Sequence, residues 1–400
     1  MIQTTIIVYT CLILFMLLCN YINLHYVVTA NNGINEKRIS LFNPSFILPL
    51  FAIAIVMGMR YDVGTDHLNY IDNYLFGYEW EQKEILFVVI NNICALNKIP
   101  YPVFFGIITF IQAALYYYAF RKEPQLLFWL TLFLFFDGQI GNWNNIIRVS
   151  IACSIWIYSI DFIAEKKFIP YLLLNILAIG FHTSSIILII AYPLLYNGKN
   201  YFSSRKVQYG LFILAFIFRF TFNRFKDVIN WFVTAYVYYF NDYENYNDIQ
   251  YLTQSESNGS GTSIAFYSII FINILIIGYS SKLHAYFNSS KFNIIYNIFF
   301  VGILTTYVFP EGMIVLTRPF RYLYMFRPIM LSYFALYLFE KKRNDNNLFI
   351  LFITMTLYVG IFYGSIIRST PENHSLYQIY SQHPEKPVIP IYEPRSILKN

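Results

Sequence analysis

The chain has 400 residues, of which 57% are hydrophobic and only 12% charged, with a formal net charge of +6. A soluble domain carries about 25% charged residues, and a soluble fold of this composition would expose large apolar patches to water. The solvent is therefore lipid, and the basic surplus, scattered over short loops, argues against a nucleic-acid partner.

In hydrocarbon every backbone polar group must be paired internally, which leaves helices or closed barrels. Apolar runs such as 101–120 and 263–280 are continuous and close to the ~20 residues a spanning helix needs, whereas a barrel strand takes about 9–11 residues of alternating character. The fold class is all-α, a polytopic transmembrane bundle over 1–367 with a polar, Pro-rich tail over 368–400. In chain order, the opening residues lack the basic n-region of a signal peptide, so 4–24 reads as a retained first span. A second span, 44–59, leads to an acidic, aromatic loop over 60–83. The stretch 84–97 is too short to cross and reads as an interfacial helix. Spans follow at 101–120, 125–138 and 145–163. The run 168–196 is long for one helix and short for two; a hairpin of 168–180 and 183–196 then needs tilt or local thinning of the bilayer. After 207–223 comes a long loop, 225–262, and then 263–280, 293–310, 320–339 and 347–367, twelve crossings in all. No internal repeat is evident, which weakens a transporter built from inverted halves. Cys11, Cys19, Cys94 and Cys153 lie in apolar surroundings without metal-ligand spacing and read as packing residues.

Charge sets the orientation. The loops around residues 37, 121, 166, 199–206, 282–291 and 341 hold fourteen basic residues against six acidic ones. By the positive-inside rule these face the cytoplasm, which places both termini and the loops 60–83 and 225–262 outside.

Ionisable residues in or beside spans are functional suspects, and here they gather at the outer ends. Arg148 follows Asn142-Trp143-Asn144-Asn145, a cap-like cluster opening a helix. A cation in a first turn is opposed by the helix dipole, so an anion should offset it, either Asp137 or a ligand. Arg318-Pro319-Phe320-Arg321 repeats the pattern, with Pro marking a helix start. Two arginines three apart beside free N–H groups suit phosphate oxygens, although snorkelling to headgroups is the plainer alternative. Arg327 lies deeper, and Pro328 beside it should kink the helix. Arg60 ends a helix, where a cation is comfortable without any ligand. His182 opens a helix, a setting that favours the neutral, proton-accepting ring, though a lone histidine is more often structural. Asp62 and Asp66 flank Gly64; two carboxylates are too few for a metal cage, but either could act as a general base. Trp80, Trp143 and Trp231 could stack on sugars, while interfacial belts are the commoner use of such rings.

Several of these pieces together resemble the EpsG family of polysaccharide polymerases, relatives of the Wzy O-antigen polymerases. They are Gly58-Met59-Arg60-Tyr61-Asp62-Val63-Gly64-Thr65-Asp66 with Tyr70, Glu84-Ile85-Leu86-Phe87, Asn145-Ile146-Ile147-Arg148 with Ile151-Ala152, and Ala178-Ile179-Gly180-Phe181-His182-Thr183-Ser184-Ser185. Glu84-Ile85 stands where the family often has Glu-Pro. The match runs from about residue 50 to 196 and thins afterwards to a late arginine cluster. The resemblance implies a metal-independent glycosyltransferase of the GT-C type, without cofactor, in a bacterial inner membrane. Its donor and acceptor would both be oligosaccharide repeats on undecaprenyl diphosphate, with a flippase and a chain-length regulator as companions. It also implies roles: Arg60, Arg148, Arg318 and Arg321 on the diphosphate, Asp66 or His182 as base, and Asp62, Glu84 and Arg327 in support. The rival readings are an O-antigen ligase-like transferase and a lipid-linked oligosaccharide flippase. A flippase should carry charge at the midplane and toward both faces, whereas here it is biased outward.

Overall fold

The computed structural model describes residues 1–30, 43–77, 84–221, 231, 263–308, 318–342, 345–384 and 386–391. The protein is an all-α polytopic membrane protein. Among the described residues seven helices are long and apolar enough to cross a membrane: Ile2–His25, Tyr101–Ala119, Ile147–Ala164, Ile264–Phe287, Ser290–Val308, Arg321–Glu340 and Asn346–Arg368. Shorter apolar helices lie at four of the remaining expected crossings, Pro44–Gly58, Pro124–Phe136, Phe168–Phe181 and Thr183–Leu195, and the fifth, 207–223, is met by the helix Arg205–Thr221. At 1.5 Å per residue the α-helical ones reach only about 20 Å, so crossing a bilayer core of about 30 Å would require it to thin around them.

Where the sequence reads as one membrane domain, the helices group into two compact units, one of residues 1–196 with 331–400 and one of 197–330. The first holds α1 (Ile2–Ala30), α2 (Pro44–Gly58), α3 (His67–Phe76), α4 (Ile85–Leu96), α5 (Tyr101–Ala119) and α6 (Pro124–Phe136). It continues through α7 (Gln139–Asn145), α8 (Ile147–Ala164), α9 (Phe168–Phe181), a 3₁₀ segment (Thr183–Ile190) and α10 (Ala191–Leu195). The expected second arm of the 168–196 hairpin is thus mostly 3₁₀. At about 2 Å of rise per residue it reaches further than an α-helix of equal length.

Packing in this unit follows the small residues. α2 lies against α5, and a Cβ added at Gly58 would stand 2.4 Å from the Pro102 carbonyl oxygen and 2.9 Å from the Gly106 Cα. Small residues let helix backbones approach closely where lipid supplies no hydrophobic drive. Gly58→Ala should therefore force α2 off α5 and lower the melting temperature of the purified protein, at a cost of about 1–3 kcal/mol; an unchanged melt would mean that the contact is slack. α5 in turn packs on α8, and α8 on α9, while α1 packs on α2 and α6.

The contacts of the first unit sort its helix ends into two sets. At one end Thr5 Oγ1 accepts from the Tyr377 N–H, Gly64 donates to the His374 carbonyl, and Tyr101 N–H to that of Val388. At the other, Asn23 donates to the Ser45 carbonyl, Lys122 pairs with Glu165, and the Tyr333 hydroxyl donates to Glu123. The tail, expected to be irregular, returns to the first of these ends. Gln378–Ile379 forms a two-residue strand, β2, antiparallel to β1 (Arg60–Tyr61), with Arg60 opposite Ile379. His374 Nδ1 meets Asp62 at 2.6 Å and Lys386 meets Asp72 at 2.6 Å.

The second unit contains α11 (Arg205–Thr221), α12 (Ile264–Phe287), α13 (Ser290–Val308), a 3₁₀ turn (Arg318–Phe320), α14 (Arg321–Tyr324) and the start of α15 (Arg327–Glu340), which the first unit completes before α16 (Asp345–Arg368). The expected helix 320–339 is interrupted at Met325–Phe326, immediately before Arg327-Pro328. Proline lacks the N–H that would continue the ladder and its ring clashes with the preceding turn. Of the loop 225–262, only Trp231 is described; Trp80 and residues 78–83 also lie outside the described residues.

Candidate functional site

Three side chains far apart in sequence meet at the tail-covered end of the first unit. Glu84 precedes α4, Arg148 sits in the first turn of α8, and His182 links α9 to the 3₁₀ segment. Glu84 Oε2 accepts from Arg148 Nη1, and Glu84 Oε1 is bonded to His182 Nδ1. Glu84 thus supplies an offsetting anion for the first-turn arginine, where the sequence offers Asp137 or a ligand.

The helices bring this about locally. The asparagine cluster before Arg148 does not cap α8. It forms α7 itself, and Ile146, with φ −103° and ψ 59°, breaks the chain between the two helices without a side-chain cap. Asn145 turns instead to the loop before α3, where its Oδ1 accepts the Asp66 N–H at 2.9 Å. Gly64, at φ +104°, turns there against the Asn144 carbonyl, 3.0 Å from where a Cβ would stand. Only glycine adopts that backbone readily. On the other side α4 packs on α9, and a Cβ on Gly180 would lie 2.5 Å from Leu86 Cδ1. Gly180 and Leu86 are each two residues from His182 and Glu84, so this close approach is what delivers the carboxylate to the ring.

Glu84 is 5% exposed, while the side chains of Arg148 and His182 are 25% and 20% exposed. The carboxylate is behind and the two nitrogen-bearing groups are in front. The Arg148 guanidinium stands 6.0 Å from the Tyr70 ring centroid, within cation–π range. Burial pushes the Tyr70 phenol above its ordinary value, with Arg148 opposing. Asp66, exposed, stands at the start of α3 without a side-chain capping bond. A partly exposed guanidinium and imidazole held by one buried carboxylate can bind an anionic leaving group and take up a proton beside it.

Arg60 does not join this group. It is 1% exposed, donates Nη1 to the Met57 carbonyl, and lies with its guanidinium carbon 5.5 Å from the Phe105 ring. Burial pushes its pKa down to about 10, against the opposing pull of Tyr9 and Tyr377. His67 packs edge-on to the same Phe105, and burial, then Arg60 and Lys386, push it well below its ordinary value. The neutral ring adds no second charge to the buried guanidinium. Tyr9 of α1 and Tyr377 of the tail lie close enough to act on its charge, so the guanidinium is enclosed where Arg148 and His182 are partly exposed. Asp62 is engaged by His374 of the tail. Arg318, Arg321 and Arg327 belong to the second unit, where Arg327 lines a small cavity with Asn273, Tyr307 and Tyr324. Glu84, expected only to support, is the residue that the others converge on. The signal for it was the arginine in an unfavourable first turn, which required a carboxylate without naming one.

A model described as the EpsG family matches residues 44–378, most of the chain. No curated protein and no solved structure matches it.

Proposed function

The chain belongs to the EpsG family, a Wzy-type polymerase-like family, and on that premise we propose that it polymerises oligosaccharide repeats carried on undecaprenyl diphosphate at the outer face of a bacterial inner membrane. A general polysaccharide-polymerase role comes with the family. The observation that supports the finer reading is the meeting of Arg148 and His182 at one buried carboxylate. An acceptor sugar hydroxyl attacks the anomeric carbon of the donor; the new C–O bond forms as the bond to the diphosphate breaks, and its electron pair leaves with the diphosphate oxygen. Arg148 stabilises that developing charge, and His182 takes the hydroxyl proton at Nε2. The machinery is of the GT-C type, with guanidinium in place of a divalent ion. Arg318 and Arg321 keep the phosphate-binding assignment suggested by their position at the start of a helix. A flippase and a chain-length regulator are the expected companions.

Purified protein given lipid-linked repeats in excess chelator should yield a polymer ladder. A flippase moves the same substrate but joins nothing, so absence of a ladder both with chelator and with added Mg²⁺ would sink the reading. Loss in chelator alone would restore a metal to the mechanism.

Orientation is tested separately. In a cysteine-free background, a cysteine at Asn373, on the site's end of the first unit, should react with an impermeant maleimide in intact cells. A cysteine at Lys342 should react only after permeabilisation. The reverse pattern would put the site on the cytoplasmic side.

A further inference from the structure

We propose that Glu84 is a positioning residue: a buried carboxylate that decides which nitrogen of His182 carries the proton and which way the Arg148 guanidinium faces. The inference deepens the polymerase reading and rests on it for the identity of the reaction, though not for the geometry.

Both oxygens of Glu84 are engaged, Oε1 by His182 Nδ1 and Oε2 by Arg148 Nη1, and its side chain is 7% exposed. It has neither the access nor a free oxygen with which to take a proton from a sugar hydroxyl. An ionised carboxylate only accepts hydrogen bonds. The ring nitrogen facing it therefore carries the proton, and the lone pair is left on Nε2, which has no partner among the described residues. The backbone leaves this choice to the side chain. His182 stands at φ −157° and ψ 117° between two helices, tied there by its N–H to the Ala178 carbonyl, and no helical packing rule fixes its ring. The same carboxylate holds Arg148 forward against the α8 dipole. Asp66 shows no equivalent support. One residue thus sets the tautomer of the base and the aim of the anion-binding group, as outer groups do around other reacting histidines.

The test joins a spectroscopic readout with kinetics. Nitrogen-15 NMR of histidine-labelled protein in detergent, with the His182 signal identified by its loss in His182→Gln, should show the Nδ1–H tautomer in wild type. Glu84→Ala should move it toward Nε2–H. In the same preparations Glu84→Ala should lower kcat by about 10²-fold, the lower end of what a positioned base contributes, with KM for the lipid-linked substrate changed far less. In a His182→Gln background the part of the Glu84→Ala loss that acts through the tautomer should disappear, so the combined loss should fall well short of the product of the single ones. A wild-type Nε2–H signal, an unchanged tautomer in Glu84→Ala, or fully additive losses would overturn the proposal. The expected tautomers in a protein that joins no repeats would keep the positioning role and remove the polymerase reading instead.

Discussion

Arg148→Ala is expected to lower polymerisation by roughly 10²–10³-fold, the range seen when one preorganised donor to a developing negative charge is removed. Arg148→Lys should fall between wild type and the alanine variant. It keeps the charge but loses the planar fork that matches phosphate oxygens. The structure adds a complication, because Arg148 is also the partner of Glu84. Breaking a buried pair from one side costs about 3–5 kcal/mol, so some loss could be a loss of folded protein. Inhibition by a short-chain prenyl diphosphate separates the two. If the guanidinium touches the leaving group, both variants should bind this inhibitor more weakly than wild type, per folded molecule. If inhibition is unchanged while the melting temperature falls with activity, Arg148 is a structural partner of Glu84 and the diphosphate contact must be sought elsewhere.

The spans were legible because lipid imposes a simple rule: a run of apolar residues long enough to pair its own backbone. Tyr101–Ala119 falls within a residue of where hydropathy puts it, while Ile264–Phe287 starts as expected and runs on past 280. What that rule cannot carry is the approach of one helix to another. Arg148 announced by its place on the helix dipole that a negative charge was near, but nothing local pointed to Glu84, 64 positions away. Glu84 reaches it only because Gly180 lets Leu86 and α4 lie close to α9. Arg60 is buried for reasons equally distant in sequence. Its motif is distinctive, yet burial by α1, Phe105 and a returning tail depends on residues 9 and 377, and nothing local in 58–66 encodes them. The tail itself, short of apolar periodicity, gave no sign that two of its residues would pair with β1. The break between α14 and α15, by contrast, was written in Pro328.

The choice of base carries the other large expected effect. Asp66 and His182 are nearly equal candidates from sequence, since a carboxylate or an imidazole could deprotonate the acceptor hydroxyl. The structure separates them by support. His182 is bonded through Nδ1 to Glu84, while Asp66 is held through its backbone N–H to Asn145 and is exposed. An anchored imidazole has lost its rotational freedom before substrate arrives, and that preorganisation is what converts proximity into rate. His182→Gln, similar in size and still polar, should therefore lose about 10²–10⁴-fold in kcat, the usual contribution of a positioned general base. Asp66→Asn preserves the backbone bond to Asn145 and should lose no more than a few-fold, through weakened electrostatics alone. Both variants should accumulate at wild-type levels, because neither side chain packs in the core. The two rates, measured on matched amounts of membrane protein with single-repeat glycolipid as substrate, decide the matter. A large loss in Asp66→Asn with near-normal turnover in His182→Gln would make the carboxylate the base. Glu84 would then serve Arg148 alone, and the imidazole would be only its second hydrogen-bond partner.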